Sequence, residues 1–202
     1  MATLKRRERE IVEMRQLIVD AAIQMYLEEG YEKLTLRSIA TRVEYSVGTI
    51  YLYFKDKDEL YHAMHEWGFD KLLKEFAPLQ YVENPLERMK AVSRVFVAFA
   101  LKNPELYDLM FILNEPMCAH ANFEDWACGK KAFEFFYQTV RECLEKNLII
   151  GENADIISFL FMSSAHGMLA MHLRNRLKMF ENADIQQMIN VSIELMLKQF
   201  IK

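Results

Sequence analysis

Hydroxyl and cationic side chains occur together between residues 35 and 57. Groups of these types donate hydrogen bonds to phosphate oxygens, and charged donors do so most strongly. From Ser46 to Phe54 the sequence has no acidic residue, and over residues 33–57 five lysines and arginines stand against two acidic residues. The segment is therefore predicted to contact a nucleic-acid backbone. Its candidate DNA-binding residues, donors and neighbouring apolar contacts together, are Thr35, Arg37, Ser46, Val47, Gly48, Thr49, Tyr51, Leu52, Tyr53 and Lys57.

Two short helices joined by a tight turn are predicted to position these side chains. Apolar residues recur at helical spacing after Thr35, which occupies an N-cap position. Ser46 occupies the same position before a second helix, which is predicted to reach Phe54 with Ile50 and Phe54 facing inward. Such a pair forms a helix-turn-helix, whose second helix enters the DNA major groove. A solvated helical hairpin with a modest positive bias is the alternative that the pattern leaves open.

The stretch TLRSIA…SVGTIYLYFKDKDEL resembles the N-terminal DNA-binding domain of the TetR (tetracycline-repressor-like) transcriptional regulators. The family pattern is T-x-x-x-I-A, a turn, then S-x-G-T-h-Y-x-Y/H-F-x-x-K-x-x-L, where h is apolar. The matching positions are Thr35, Ile39, Ala40, Ser46, Gly48, Thr49, Ile50, Tyr51, Tyr53, Phe54, Lys57 and Leu60. Glu44 departs from the pattern, since the family usually has glycine at the turn. Glutamate is strained at positive φ, so a slightly different turn is expected here.

The resemblance implies an all-α fold of two domains. A three-helix helix-turn-helix DNA-binding domain is expected over residues 1–56, and a helical-bundle domain for effector binding and dimerisation over residues 57–202. The implied partners are a double-stranded DNA operator, a second copy of the chain and a small hydrophobic effector. The last two helices of each subunit would form a four-helix bundle in the dimer. Segments 103–111 and 165–169 further resemble the WHG type of C-terminal domain, with Ala165 in place of the usual tryptophan.

Two kinds of DNA contact are expected within the recognition segment. Phosphate contacts are predicted for Thr49, Tyr53 and Lys57. Base contacts are predicted for Val47, Gly48 and Leu52. Lys57 lies in the first turn of a helix predicted over residues 57–76, where the helix dipole repels a cation. A phosphate bound jointly by the lysine and the helix end would resolve that conflict.

The acidic charge of the chain lies outside the predicted DNA-binding segment. The net charge is −4, but residues 1–57 hold ten basic and nine acidic residues, whereas residues 58–202 hold fifteen and twenty. The 52% hydrophobic and 27% charged composition is typical of a soluble globular protein. Six glycines, four prolines and few β-branched alternations favour an all-helical chain. The whole-chain charge thus does not exclude DNA binding.

An uncharged run of eighteen residues, 156–173, reaches the lower limit of a membrane span. It contains serines and the pair His166–Gly167, which favours a helix buried on both sides, by its own core and by a second subunit. No membrane partner is predicted. The first ten residues lack the apolar segment of a secretion signal, which predicts a cytoplasmic protein. Their basic side chains form either an arm that contacts DNA or a frayed terminus.

Methionine and phenylalanine are abundant after residue 58. The chain has 13 Met and 14 Phe, which predicts an adaptable apolar interior. The candidate effector-binding residues are Trp67, Phe99, Met110, Trp126, Phe133, Tyr137, Met162 and His166. Plain core packing is the alternative for each of them, and for His166 a hydrogen-bonded core histidine.

Metal, cofactor and catalytic signatures have little support in the sequence. His62, His65 and Glu66 are neighbours on the helix predicted over residues 57–76, but without a further ligand such sets are typically surface polar residues, so no metal is predicted. Three cysteines are too few for a disulfide scaffold. The set Cys118, His120 and Cys128 leaves a thiol or metal sensor open. Nucleophile elbow, P-loop, dinucleotide and HExxH motifs are absent, so neither a cofactor nor an enzyme is predicted.

The residues and the resemblance together predict a homodimeric transcriptional regulator, a repressor released from a palindromic operator by a small apolar ligand. Two alternatives from other classes stay open. One is a DNA-binding architectural protein without an effector, which a large ligand cavity would disfavour. The other is a helical lipid-binding or small-molecule-binding protein with a vestigial helix-turn-helix, which the hydroxyls and Lys57 disfavour.

Overall fold

The computed structural model describes residues 2–113, 127–180 and 183–202, with side chains from Arg6 onward. Within these ranges the regular elements are helices, together with an isolated antiparallel bridge between Ile149 and Ile201. The predicted all-α class is confirmed.

The α-helices of the described ranges are α1 (Ala2–Glu29), α2 (Leu36–Arg42), α3 (Val47–Tyr51), α4 (Lys57–Phe76), α5 (Pro85–Lys102), α6 (Pro104–Phe111), α7 (Ala127–Glu145), α8 (Ala154–Leu173) and α9 (Ile185–Phe200). Short 3₁₀ helices occupy Tyr31–Lys33, Ala77–Tyr81 and Lys178–Phe180.

The described residues form two compact units. Unit one contains residues 2–68 and 105–113, and unit two contains residues 69–104 and the described part of 127–202. Helix α4 supplies residues to both units, because the division falls after Gly68. The domain boundary predicted between residues 56 and 57 stays a prediction.

Helix α1 starts at Ala2 and buries its apolar face in its second half. Ile18 and Ala22 are fully buried, whereas residues 6–13 are exposed. The basic residues near the N-terminus therefore lie on a helix, and their contact with DNA stays a prediction. Gly30 ends α1 with φ 81°, and its N–H donates to the Tyr26 carbonyl at 2.9 Å. Glycine adopts this left-handed conformation without steric cost.

Unit one packs α4 closely against α6. A Cβ built on Gly68 would lie 2.7 Å from Cγ of Met110, so a larger residue there would have to displace the Met110 side chain. His65, one turn earlier on α4, is buried, and its Nε2 lies 3.0 Å from the Met110 carbonyl oxygen. Tyr26 of α1 donates its hydroxyl to the Glu105 carbonyl of α6 at 3.0 Å. Together these contacts hold α1, α4 and α6 in one unit.

Unit two is built on α5, α7, α8 and α9. Asn84 caps α5 through Oδ1, which accepts from the Leu86 N–H at 2.9 Å, and Pro85 occupies the first turn. Aromatic rings pack in the interior. The ring centroid of Phe161 on α8 lies 6.2 Å from that of Phe136 on α7 and 5.5 Å from that of Phe200 on α9. A polar contact joins α5 to α9, because Arg94 and Glu194 pair at 2.7 Å.

Among the described residues, other helices cover one side of α8. Ile157, Phe161 and Leu169 are buried, whereas Ile156 and Phe159 are 67% and 74% exposed. Among the described helices α8 is long and apolar enough to cross a membrane, and 28% of an apolar stretch of 18 residues within it is buried. One such helix is weak support for a membrane span, because the core helix of a soluble protein can be equally long and apolar.

Candidate DNA-binding interface

The turn between α2 and α3 contains a glutamate in the left-handed conformation. Glu44 has φ 59°, and the neighbouring N–H of Tyr45 donates to the Ala40 carbonyl at 2.9 Å. Non-glycine residues pay a steric cost at such φ values. The differently built turn expected from the sequence is not observed, because the chain keeps the left-handed conformation that suits glycine and tolerates the strain.

Helix α3 is capped as predicted but ends sooner. Ser46 Oγ accepts from the Thr49 N–H at 3.0 Å, which confirms the N-cap. The helix was predicted to reach Phe54, but it ends at Tyr51. The N–H of Leu52 bonds to the carbonyl three residues back, that of Thr49, at 3.1 Å, so the chain continues as a 3₁₀-type turn. The predicted inward positions are both confirmed, since Ile50 and Phe54 are fully buried.

The outer face of α3 and its C-terminal end are open to solvent. Leu52 is 81% exposed and Tyr51 is 54% exposed, while Val47, Thr49 and Tyr53 are half-buried. Gly48 is exposed, and the nearest non-local atom to a Cβ built there is Ser46 Oγ at 3.6 Å, an ordinary contact. Among the described residues, nothing therefore requires glycine at position 48. The absence of a side chain leaves room for an external group to approach the backbone.

Thr35 and Arg37 flank this face at the start of α2. The Thr35 hydroxyl is engaged locally, because Oγ1 accepts from the Ser38 N–H at 3.0 Å and the Ser38 side chain reciprocates in a capping box. Arg37 is exposed. The structure thus places the ten predicted residues around α2, α3 and the start of α4 in unit one.

Arg15 of α1 is a residue that sequence reasoning missed. Its guanidinium donates to the Tyr53 carbonyl just beyond α3 and to Glu59 Oε1 of α4 at 3.0 Å. It also stacks over the Phe54 ring, 4.2 Å from the centroid. Contacts over 38 to 44 residues leave no local signal in a sequence. Arg15 joins the end of α3 to the start of α4.

Glu59 completes this connection. Asp56 caps α4, since its Oδ1 accepts from the Glu59 N–H at 2.8 Å. The Glu59 carboxylate reaches the N–H of Lys55 at 2.9 Å instead of the Asp56 N–H that a capping box would use. Burial by itself would raise the pKa of Glu59, but the Lys55 N–H and the Arg15 guanidinium outweigh it, and the pKa lies below its usual value. The carboxylate is therefore held in its charged form.

Lys57 lies at the N-terminus of α4, as predicted, and is half-buried. Its Nζ is 4.8 Å from the ring centroid of Tyr31 and 5.0 Å from that of Tyr61. The two tyrosine rings stack on each other with centroids 5.3 Å apart. A cation is attracted to the faces of aromatic rings, so the ammonium group has a defined location at this surface.

The predicted effector-binding residues divide between the two units. Trp67 and Met110 belong to unit one, and Trp126 lies outside the described residues. The members in unit two are Phe99, Phe133, Tyr137, Met162 and His166. The structure brings Phe133 and Tyr137 into a stack with centroids 5.6 Å apart, and it buries Phe99.

His166 contacts an aromatic ring that is not among the predicted effector-binding residues. The centroid of its imidazole lies 5.2 Å from that of the Phe96 ring, in an edge-to-face arrangement. Burial lowers the pKa of His166 to about 4, so the imidazole is neutral at pH 7.

The residues weighed as metal or thiol sites are dispersed. His62 pairs with Glu66 at 3.8 Å on the surface of α4, whereas His65 faces the interior. Over the described ranges no three His, Cys, Asp or Glu side chains group closely enough to hold a metal ion. Cys118 and His120 lie outside the described residues. Cys128 is half-buried.

Comparisons with known proteins agree along most of the chain. A family model described as "Bacterial regulatory proteins, tetR family" matches residues 18–64, and one described as "Tetracyclin repressor-like, C-terminal domain" matches residues 89–196. The "Probable acrEF/envCD operon repressor" of Escherichia coli K12 is 27% identical over 145 residues, 70% of this chain and 65% of that protein. The repressor KstR of Rhodococcus jostii RHA1 is 30% identical over 98 residues, 48% of this chain and 46% of that repressor.

A solved structure has the same fold over nearly the whole chain. A TetR transcription regulator from Haloarcula marismortui superposes with a TM-score of 0.75 at 13% identity, covering 95% of this chain and all of that one. The resemblance of segments 103–111 and 165–169 to the WHG type stays a prediction.

Proposed function

Because the chain belongs to the tetR family of bacterial regulatory proteins, we propose that it binds a palindromic operator as a homodimer and is released by a small hydrophobic effector. Members of the family are DNA-binding transcriptional regulators and not enzymes, and this chain is one of them. Regulators of this family are soluble cytoplasmic proteins of bacteria, and the proposal places this chain in the cytoplasm.

The open face of α3 is the observation that carries the proposal. An exposed leucine at position 52 and a glycine at position 48 whose Cβ site is open both suit close contact with base edges in the major groove. Thr49, Tyr53 and Lys57 would donate to phosphates on either side. Thr35, Arg37, Ser46 and Tyr51 would support the same docking. Arg15 and Glu59 would fix the position of this face relative to α1 and α4.

Uncovered apolar side chains on α8 and α9 support a homodimer. Each residue of this set is at least about a third exposed, and together they extend over both helices. They are Ile156, Phe159, Leu160 and Met171 of α8, and Met188, Val191 and Leu195 of α9. Apolar surface of this extent on a soluble protein marks an interaction site. An isologous contact between two copies would cover it and place two α3 helices on one duplex.

The aromatic and thioether residues of unit two support a hydrophobic effector. Phe133, Tyr137 and Met162 are half-buried, so they can contact a guest without leaving the core. His166 is neutral at pH 7, so it adds no charge to this set. This combination fits an uncharged, largely apolar ligand.

Helix α4 supplies a route for release. Its Lys57 end belongs to unit one, whereas its other end contributes Leu72 and Phe76 to unit two. A ligand that tilts α4 would change the separation of the two α3 helices, which DNA requires to be roughly 34–36 Å. By linkage, operator DNA would then weaken ligand binding by the same factor, typically about 5- to 150-fold.

Selection of bound duplexes from a random-sequence library tests the DNA part of the proposal. A homodimer that reads bases should enrich a palindrome with half-sites one helical turn apart. Enrichment of AT-rich or bent DNA without a palindrome would favour the architectural alternative, and no retention of DNA would favour the ligand-binding alternative.

A further inference from the structure

The rings of Tyr31 and Tyr61 hold the Lys57 ammonium at the DNA-facing end of α4. The two ring centroids and Nζ form a nearly equilateral triangle with sides of 4.8, 5.0 and 5.3 Å. Tyr61 is one helical turn after Lys57 and is buried, whereas Tyr31 belongs to the 3₁₀ helix that follows α1. Gly30 sets the position of Tyr31, because its left-handed φ redirects the chain immediately before it.

A partner made of neutral rings has a different effect from a carboxylate. Lys55, two residues earlier, lies 3.8 Å from Asp56, so part of its charge is already compensated. The aromatic quadrupole attracts the Lys57 ammonium but leaves its net charge intact and its N–H donors available for a phosphate. The rings also offset the unfavourable position of a cation at a helix N-terminus. Lys57 is therefore oriented before DNA arrives.

We propose that Tyr31 and Tyr61 are positioning residues for DNA binding, which act by presenting Lys57 to a backbone phosphate. This rests on the proposed phosphate contact of Lys57 and extends it to two residues that do not themselves contact DNA. A free lysine loses side-chain freedom when it binds a phosphate, and a lysine already held on two rings loses less. The tyrosine pair thus raises the affinity for any duplex, independent of its sequence.

The test measures the affinity of the full-length protein for a duplex of random sequence, at salt concentrations from about 50 to 200 mM. Tyr31→Leu removes the aromatic ring while it keeps an apolar side chain. It should weaken binding about three- to tenfold and reduce the slope of log affinity against log salt, by at most about one unit. Tyr31→Phe keeps the ring and should bind with the affinity and salt slope of the unchanged protein.

The same substitution, made in a protein that lacks the Lys57 charge, separates the positioning of Lys57 from general structural support. Lys57→Met keeps a long side chain that can pack on the rings but removes the charge. In that background Tyr31→Leu should cause no further loss of DNA affinity. Equal losses with and without Lys57, or a loss in Tyr31→Phe as large as in Tyr31→Leu, would overturn the positioning role alone. A Lys57→Met protein with unchanged affinity and salt slope would instead overturn the phosphate contact.

A measurement on the unchanged protein covers the case in which Tyr31→Leu does not fold. Lysine protons close to ring faces resonate upfield of their positions in solvent. Carbon-labelled lysine should therefore show a strongly upfield-shifted ε-methylene for Lys57, assigned by its loss in Lys57→Met. An ε-methylene at its solvent-exposed position would contradict the ring contact.

Discussion

The guanidinium of Arg15 stacks on the ring of Phe54, with 4.2 Å between its central carbon and the ring centroid. Phe54 is the last inward-facing residue beyond α3, so this contact fixes the end of the recognition segment against α1. The same guanidinium bonds to the Tyr53 carbonyl and to Glu59. One arginine thus connects three elements of the DNA-binding unit.

Replacement of Arg15 should loosen this connection. Arg15→Met keeps apolar contact with Phe54 but removes the donors for the Tyr53 carbonyl and Glu59. We expect a loss of about 1–3 kcal/mol in the free energy of unfolding and weaker binding to DNA. Urea denaturation and fluorescence anisotropy measure the two effects. Arg6→Met is the matched control, because the Arg6 pair with Glu10 is exposed and should contribute less than about 0.5 kcal/mol.

Replacement of Glu44 by glycine should stabilise the protein. The left-handed φ of 59° costs glutamate steric energy that glycine avoids, although glycine loses more backbone entropy on folding. The expected net gain is about 0.5–1 kcal/mol, measured by urea denaturation. Glu44→Ala, which keeps a Cβ, should show no such gain. An equal gain in both variants would indicate that side-chain charge, not backbone strain, matters at this position.

Gly48→Ala should separate folding from DNA binding. A Cβ at position 48 meets only ordinary contacts, and alanine favours a helix over glycine, so stability should rise by up to about 1 kcal/mol. Binding to the selected operator should nevertheless weaken, because the added methyl group occupies space next to the DNA. Thermal unfolding and operator titration are the two measurements. An unchanged operator affinity would show that α3 does not approach DNA through Gly48.

The neutral His166 predicts a defined pH dependence of stability. Burial lowers its folded-state pKa to about 4, whereas in the unfolded chain the pKa is about 6.5. Between these values the unfolded chain binds the additional proton, so this contribution to stability is complete above pH about 6.5 and decreases as the pH falls towards 4. His166→Gln should reduce the loss of unfolding free energy between pH 7 and pH 5. The carboxylates titrate in both proteins, so only the difference between them reports on His166.

A charge on the open face of α9 should prevent dimerisation. Leu195 is 53% exposed in the single chain, and Leu195→Glu would bury a carboxylate in the proposed contact. Light scattering should show dimers for the unchanged protein and monomers for the variant at micromolar concentration. Lys202→Glu, a charge change away from the two helical faces, is the control. A monomeric unchanged protein would contradict the dimer.

Local sequence predicted the elements better than it predicted the contacts that join them. The caps Thr35 and Ser46 and the bounds of α4 depend on residues within one helical turn, so pattern is sufficient for them. Arg15 and the Tyr31 ring act over tens of residues, and their partners exist only once α1 has packed on α4.

The spacing of the two half-sites tests the central claim most directly. The affinity of the unchanged protein is compared for the selected palindrome and for the same duplex with about half a helical turn inserted at its centre. A rigid homodimer cannot place both α3 helices on the inserted duplex, so its affinity should fall to that for random DNA. Insertion of a full turn should also weaken binding, because the half-sites then face the protein but lie too far apart. Equal affinity for all three duplexes would mean that the protomers bind independently, and the account of a symmetric regulator would be wrong.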